Sequence, residues 1–194
     1  PKFIPADQAL FSVGGVTFPT LTEAGAYAAT STNKTIIPVS DGVVYGSHTI
    51  PAGVTLLIPY NTDNTLCTTK PTTTESSYTA PTIYRKLTMA NGAKLTVNGA
   101  LSLSATQTAS GGQSSPTGAC SFIQMNSGST ITVNSGGKLY AWGYILGSGA
   151  VTVNSGGAVY ECFQIMDWRG GTNTSGMIDN AKRVFPFSQY YVQN

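Results

Sequence analysis

Charge is what this sequence has least of. Only 9% of its residues are Asp, Glu, Lys or Arg, against about 25% in ordinary soluble domains. The 10 basic and 8 acidic side chains leave a net charge of +2, too weak a field to argue for nucleic acid. No apolar run approaches the roughly 20 residues of a membrane-crossing helix, so membrane insertion of that kind is excluded. Cysteine is scarce as well. Cys67, Cys120 and Cys162 follow no metal-ligand spacing, and an odd count leaves room for one internal disulfide at most. Cys67 and Cys120, both in loop-like stretches, are the candidates for it, with Cys162 read as a buried free thiol. His48 is the only histidine, and with no cysteine or acid cluster beside it, it reads as a packed residue rather than a ligand or a base. No metal and no cofactor are expected.

The shortage of acids also bears on catalysis. Polysaccharide hydrolysis needs two carboxylates close together, and lyase chemistry needs several around one cation plus a base. The chain has Asp7, Glu23, Asp41, Asp63, Glu75, Glu161, Asp167 and Asp179, scattered along its length. Only Glu161 and Asp167 fall near one another in the regular part. No catalytic residue is therefore assigned, and a polysaccharide lyase or glycoside hydrolase is kept as the runner-up. No glycine-rich run precedes a helix, which removes the phosphate-loop reading.

What the chain has instead is Gly, Thr, Ser and Asn arranged in a repeat. With 41% hydrophobic residues it has enough apolar surface to fold, which argues against disorder. "TVNSGG" occurs at 132–137 and again at 152–157. Aligned over 131–145 and 151–165, eight of fifteen positions are identical and two more exchange one aliphatic residue for another. "GAKLTVNGALSL" at 92–103 and "AGVTLLIP" at 52–59 carry weaker copies. Each run alternates apolar and polar residues and ends in a glycine corner, so it reads as a strand with one buried face. Strands and corners recurring near 20 residues predict a parallel β-solenoid of about six to eight coils. In it Leu95, Ile131 and Val151 stack inside, Asn98, Asn134 and Asn154 stack at a corner, and Tyr140 and Tyr160 stack on an outer face.

The predicted organisation is a single domain over 1–194. Residues 1–30 form an amino-terminal cap with one short helix at 18–30, N-capped by Thr20 or Thr22. Residues 31–165 form the coils, with loop insertions at 61–85 and 104–120. Residues 166–194 form a terminal coil or docking segment. The chain opens on Pro1 with no initiator Met, which reads as excision from a longer chain.

The opening helix and strand, "TIPAGVTLLIP" and the coils ending "VNSGG" resemble the pectin-lyase-like right-handed β-helix superfamily. "FPTLTEA", "TIPAGVTLLIPYN", "YRKLTMANGAKLTVNGALSL", "FQIMDWRGG" and "VFPFSQYYVQN" more closely resemble β-helix modules in large surface proteins of gut Firmicutes. The resemblance implies an all-β right-handed parallel β-helix with a short capping helix, in an extracellular or cell-surface setting. It transfers no catalytic residue.

Two sets of candidate residues remain. Tyr140, Trp142, Tyr144, Glu161, Asp167, Trp168 and Arg169 offer aromatic platforms with nearby charges that suit a glycan. The plainer reading pairs Asp167 with Arg169 and uses Trp168 to cover the end of the stack. Phe185, Phe187, Tyr190, Tyr191 and Val192 form an apolar carboxy-terminal segment that suits self-association or contact with a neighbouring domain. The function expected is a non-catalytic extracellular structural or adhesive module that assembles through its ends. A carbohydrate-binding or carbohydrate-cleaving protein is the alternative.

Overall fold

The computed structural model describes residues 5–64, 72–73, 82–104, 108–109 and 119–161. The chain opens with an antiparallel hairpin of β1 (Phe11–Val13) and β2 (Val16–Phe18) around the two-residue turn Gly14-Gly15. Thr20 caps helix α1 (Leu21–Thr30): its Oγ1 accepts from Glu23 N at 3.2 Å and donates to the Glu23 carboxylate at 3.0 Å. The first of these bonds satisfies one donor that the first helical turn leaves open, and the second orients the capping hydroxyl. Leu21, Ala24, Gly25 and Ala28 form the buried face of α1.

β3 (Thr35–Pro38) follows, antiparallel to β1. The chain then makes four passes. The first is β4 (Gly42–Val44), β5 (Ser47–Ile50) and β6 (Thr55–Ile58), after which the long connection carries β7 (Thr72–Thr73). The second is β8 (Thr82–Met89), β9 (Lys94–Val97) and β10 (Ala100–Leu103), followed by β11 (Thr108–Ala109). The third is β12 (Ala119–Met125), β13 (Thr130–Val133) and β14 (Lys138–Ala141). The fourth is β15 (Tyr144–Gly147), β16 (Ala150–Val153) and β17 (Ala158–Glu161).

Successive passes contribute parallel neighbours to three sheets, ordered β17-β14-β10-β6-β3-β1-β2, β15-β12-β8-β4 and β16-β13-β9-β5. The fold class is corrected accordingly. In place of the expected right-handed parallel β-helix, the described residues form three separate, mostly parallel sheets with one short helix, and one sheet ends in antiparallel strands. No named strand of one of these sheets pairs with a strand of another. The repeat reports which residues come side by side, and that register is a local matter. How one sheet gives way to the next depends on all the corners of a pass, of which the repeat spells out only the one after β13 and β16.

Within the sheets the register sets like on like. Leu95, Ile131 and Val151 are direct neighbours, as are Ile50, Val97, Val133 and Val153. Leu56, Leu101, Leu139 and Val159 do the same in the longest sheet. All but Val153 of these residues are buried, and they join Phe11, Val13, Ile36 and Met125 in one apolar core. The Asn row is present as a hydrogen-bonded chain: Asn154 Nδ2 donates to Asn134 Oδ1 at 2.8 Å, and Asn134 Nδ2 donates to Asn98 Oδ1 at 2.9 Å.

Five corners share one turn. In residues 51–54, 90–93, 126–129, 134–137 and 154–157 the fourth N–H donates to the first carbonyl at 2.8 to 3.1 Å. The third residue is always glycine, with φ between +70° and +80°. No other residue of these turns has positive φ, which defines a type II turn and requires glycine there. The glycine after it in "SGG" has a different task. A Cβ on Gly137 would come within 2.2 Å of the Val97 carbonyl oxygen, so the passes could not approach as they do.

The two insertions leave from the same place, the corner after the longest sheet's strands, and their short strands β7 and β11 pair in parallel. Strand β8 begins at Thr82 and β12 at Ala119, so the insertion boundaries drawn from sequence at 85 and 120 reach into sheet. Cys120 accordingly lies in a strand, not in a loop; Cys67 and Cys162 lie outside the described residues.

The amino-terminal end of the stack is covered. The hairpin covers β3, α1 packs on β5, and Gln8 bridges to Val43 beside β4. Phe11 and Val13 of this amino-terminal stretch are buried in the chain's own core.

Val133 is fully buried between Val97 and Val153. Val133→Asp places an unpaired carboxylate there and should cost about 3 kcal/mol or more, lowering the melting temperature by roughly 6 °C or more. A thermal melt within a degree of the parent would contradict the register described.

Candidate functional site

The aromatic residues singled out from sequence converge only in part. Tyr140 on β14 and Tyr160 on β17 are register neighbours, with ring centroids 5.0 Å apart and planes 14° from parallel. Trp142 lies 6.2 Å from Tyr140 at 41° and is only 3% exposed. Each tyrosine ring therefore spends one face on the other, and the indole is not a surface platform. Tyr144 opens β15 and Glu161 closes β17. Asp167, Trp168 and Arg169 lie outside the described residues, as do Phe185, Phe187, Tyr190, Tyr191 and Val192.

His48 has a definite place that sequence reasoning did not give it. It occupies the rung of Leu95, Ile131 and Val151, at the first pass, where the aliphatic row meets α1. Its Nε2 lies 2.7 Å from the Tyr45 carbonyl oxygen and its Nδ1 2.8 Å from Thr22 Oγ1. A carbonyl can only accept, so Nε2 carries the proton, and in the neutral ring Nδ1 accepts from the threonine hydroxyl. An imidazole thus ends the row of aliphatics and ties it to the helix. The alternating pattern of "SHTI" marks this slot, but a lone polar residue in it hid the rung.

Beside it, the exposed Tyr45 donates its hydroxyl to both oxygens of Asp7, each at 3.0 Å. That hydrogen bond, followed by desolvation and the negative charge of Asp7, raises the Tyr45 pKa above its usual 10.0. Among the described residues no group of three or more His, Cys, Asp or Glu side chains could hold a metal.

An open cavity of about 380 Å³, lined by polar and apolar residues alike, lies at the corner where the first insertion leaves. Its floor is a row across three strands, Thr17, Ser12 and Ile37, which are register neighbours. Its walls include Thr62, Asn64, Tyr84 and Arg85. The Arg85 side chain is 19% exposed, and its Nη1 donates to Asp41 Oδ1 at 3.2 Å. Asp41 Oδ1 also accepts from Lys86 N at 2.9 Å, which anchors the pair to β8. The guanidinium lies 5.4 Å from the centre of the Tyr84 ring. Pairing of β8 with β12 steps from Ile83 opposite Cys120 to Arg85 opposite Ser121, so Tyr84 is the extra residue of a β-bulge. Bulges re-aim side chains and gather beside functional sites. Sequence reading passed over Arg85 because the bulge breaks the alternation that marked the other strands.

No known protein family, curated protein or solved structure matches this chain. No helix among the described residues is long and apolar enough to cross a membrane.

Tyr45 provides a direct check of the local geometry. Its raised pKa means that the hydrogen bond contributes to stability below the ordinary tyrosine pKa, and that this is lost as pH rises through the folded value. Asp7→Asn should bring the phenol's ultraviolet titration back toward pH 10.0. An unchanged titration would show that Asp7 is not the cause.

Proposed function

We propose that the chain is a non-catalytic structural or adhesive module that works outside the cell or on its surface and joins end to end with neighbouring domains or further copies. The observation that carries this reading is the difference between the two ends of the stack. At the amino-terminal end α1 packs on β5, Gln8 bridges to Val43 of β4, and the hairpin ends the longest sheet in an antiparallel strand, β2, in place of a parallel one. At the other end, among the described residues, β15, β16 and β17 each stand last in their sheet. Strand edges side by side are a ready template for another strand. The interior supports the same reading: aliphatic rows fill it, and the asparagine and tyrosine rows bond within themselves. The sequence at 185–192 holds the aromatic side chains that such a joint would use.

Size-exclusion chromatography with light scattering and negative-stain microscopy test this on the full chain and on one lacking residues 185–194. The full chain should form concentration-dependent end-to-end assemblies, and the shortened chain should not. A full chain that stays monomeric throughout would remove the assembly reading.

A further inference from the structure

We infer that the cavity around Arg85 is a binding site for a small carboxylate that carries hydroxyl groups, about the size of one acidic sugar. The inference is independent of the assembly reading and rests on three observations. The first is unspent donor capacity. A guanidinium can donate from all its N–H groups, yet among the described residues Arg85 pairs only through Nη1; its Nε is buried and has no partner there. With Asp41 held at Nη1 and the side chain 19% exposed at the cavity wall, Nη2 is the donor left for a carboxylate oxygen.

The second is the lining. Ser12, Thr17, Thr62 and Asn64 line the cavity, residue types that can donate to and accept from ligand hydroxyls, although Thr62 Oγ1 also donates to Asp63 Oδ1 at 3.5 Å. Pro38, Val39 and the Tyr84 ring give it apolar patches, which suit the C–H face of a sugar. At about 380 Å³ it falls at the small end of ligand pockets, which run from about 300 to 1,000 Å³. The third is the means of positioning. The bulge at Tyr84 and the anchoring of Asp41 by the Lys86 amide together fix the guanidinium at the cavity wall. A bulge at this position is not needed for strand pairing, which is regular from Arg85 to Met89.

Asp41 supplies a test that a purely structural Arg85 would not pass. Its charge competes with an incoming carboxylate for the same guanidinium, whereas Asn at that position keeps the acceptor for Lys86 N and removes the charge. Calorimetric and ligand-observed magnetic resonance titrations would use D-glucuronate as the probe and D-glucose as its neutral counterpart. Glucuronate should bind at least about tenfold more tightly than glucose, the scale of one charge-assisted pair. Arg85→Gln should abolish that preference, Asp41→Asn should strengthen glucuronate binding severalfold, and Thr62→Val should weaken both sugars. Thermal melts establish that each variant is folded. If Arg85→Gln does not fold, Asp41→Asn and the exposed Thr62→Val decide. Equal or absent binding of the two probes, or glucuronate binding unchanged in the folded variants, would overturn the inference.

Discussion

Parallel pairing places each side chain beside its counterpart from the pass before, at the spacing of neighbouring strands, about 4.8 Å. This contact is repeated through the parallel strands of all four passes among the described residues. A side chain in the stack therefore has to suit itself. Leucine, isoleucine and valine do so by filling space. An asparagine amide does so because it can donate to one neighbour and accept from the other, and a tyrosine does so by stacking its ring. A single misfit is felt by two neighbours at once, which is why a charge at Val133 is so costly. The low charge of the whole sequence follows from the same constraint, since like charges directly adjacent repel.

The glycine corners turn that lateral rule into a fixed register. A type II turn has a set length, so the strand after it begins at a defined place relative to the strand before. The turns at 134–137 and 154–157 are identical in sequence and therefore keep β14 and β17 in step. Where the chain departs from regularity, it does so at the rim of the stack. His48 ends an aliphatic row against α1, and Tyr84 bulges out to set Arg85 beside an open cavity.

The parts legible from sequence were those in which the lateral rule repeats the same letters. The rows through Ile131 and Val151, the amide chain and the Tyr140–Tyr160 stack all lie within near-identical copies. The second set of corners uses the same turn but writes it "ANGA" and "NSGS", so identity of letters did not expose it. The opening hairpin is marked by Gly14-Gly15 between apolar alternations, a two-residue turn signal, in a stretch that the repeat assigns only to the amino-terminal cap. The right-handed β-helix inferred from repeat and resemblance gave way to three separate sheets, because side-by-side register says nothing of how sheets follow one another. Arg85 carried no signal at all: its importance comes from Asp41, Ser12 and Thr62, brought to it from distant stretches of chain.

The covered amino-terminal end gives the stack a direction in time as well as in space. During synthesis the hairpin, α1 and the first pass emerge before anything that must pair with them. They can close their own core, since Phe11, Leu21, Ile36 and Ile50 all belong to that first part. Every later pass then meets a finished edge and pays only for closing one loop, a cost that grows slowly with length. That slow growth means that two long insertions at one corner add little to the free-energy cost of pairing the strands behind them. The order of the sequence is in this sense also the order of assembly, with each pass serving as the mould for the next.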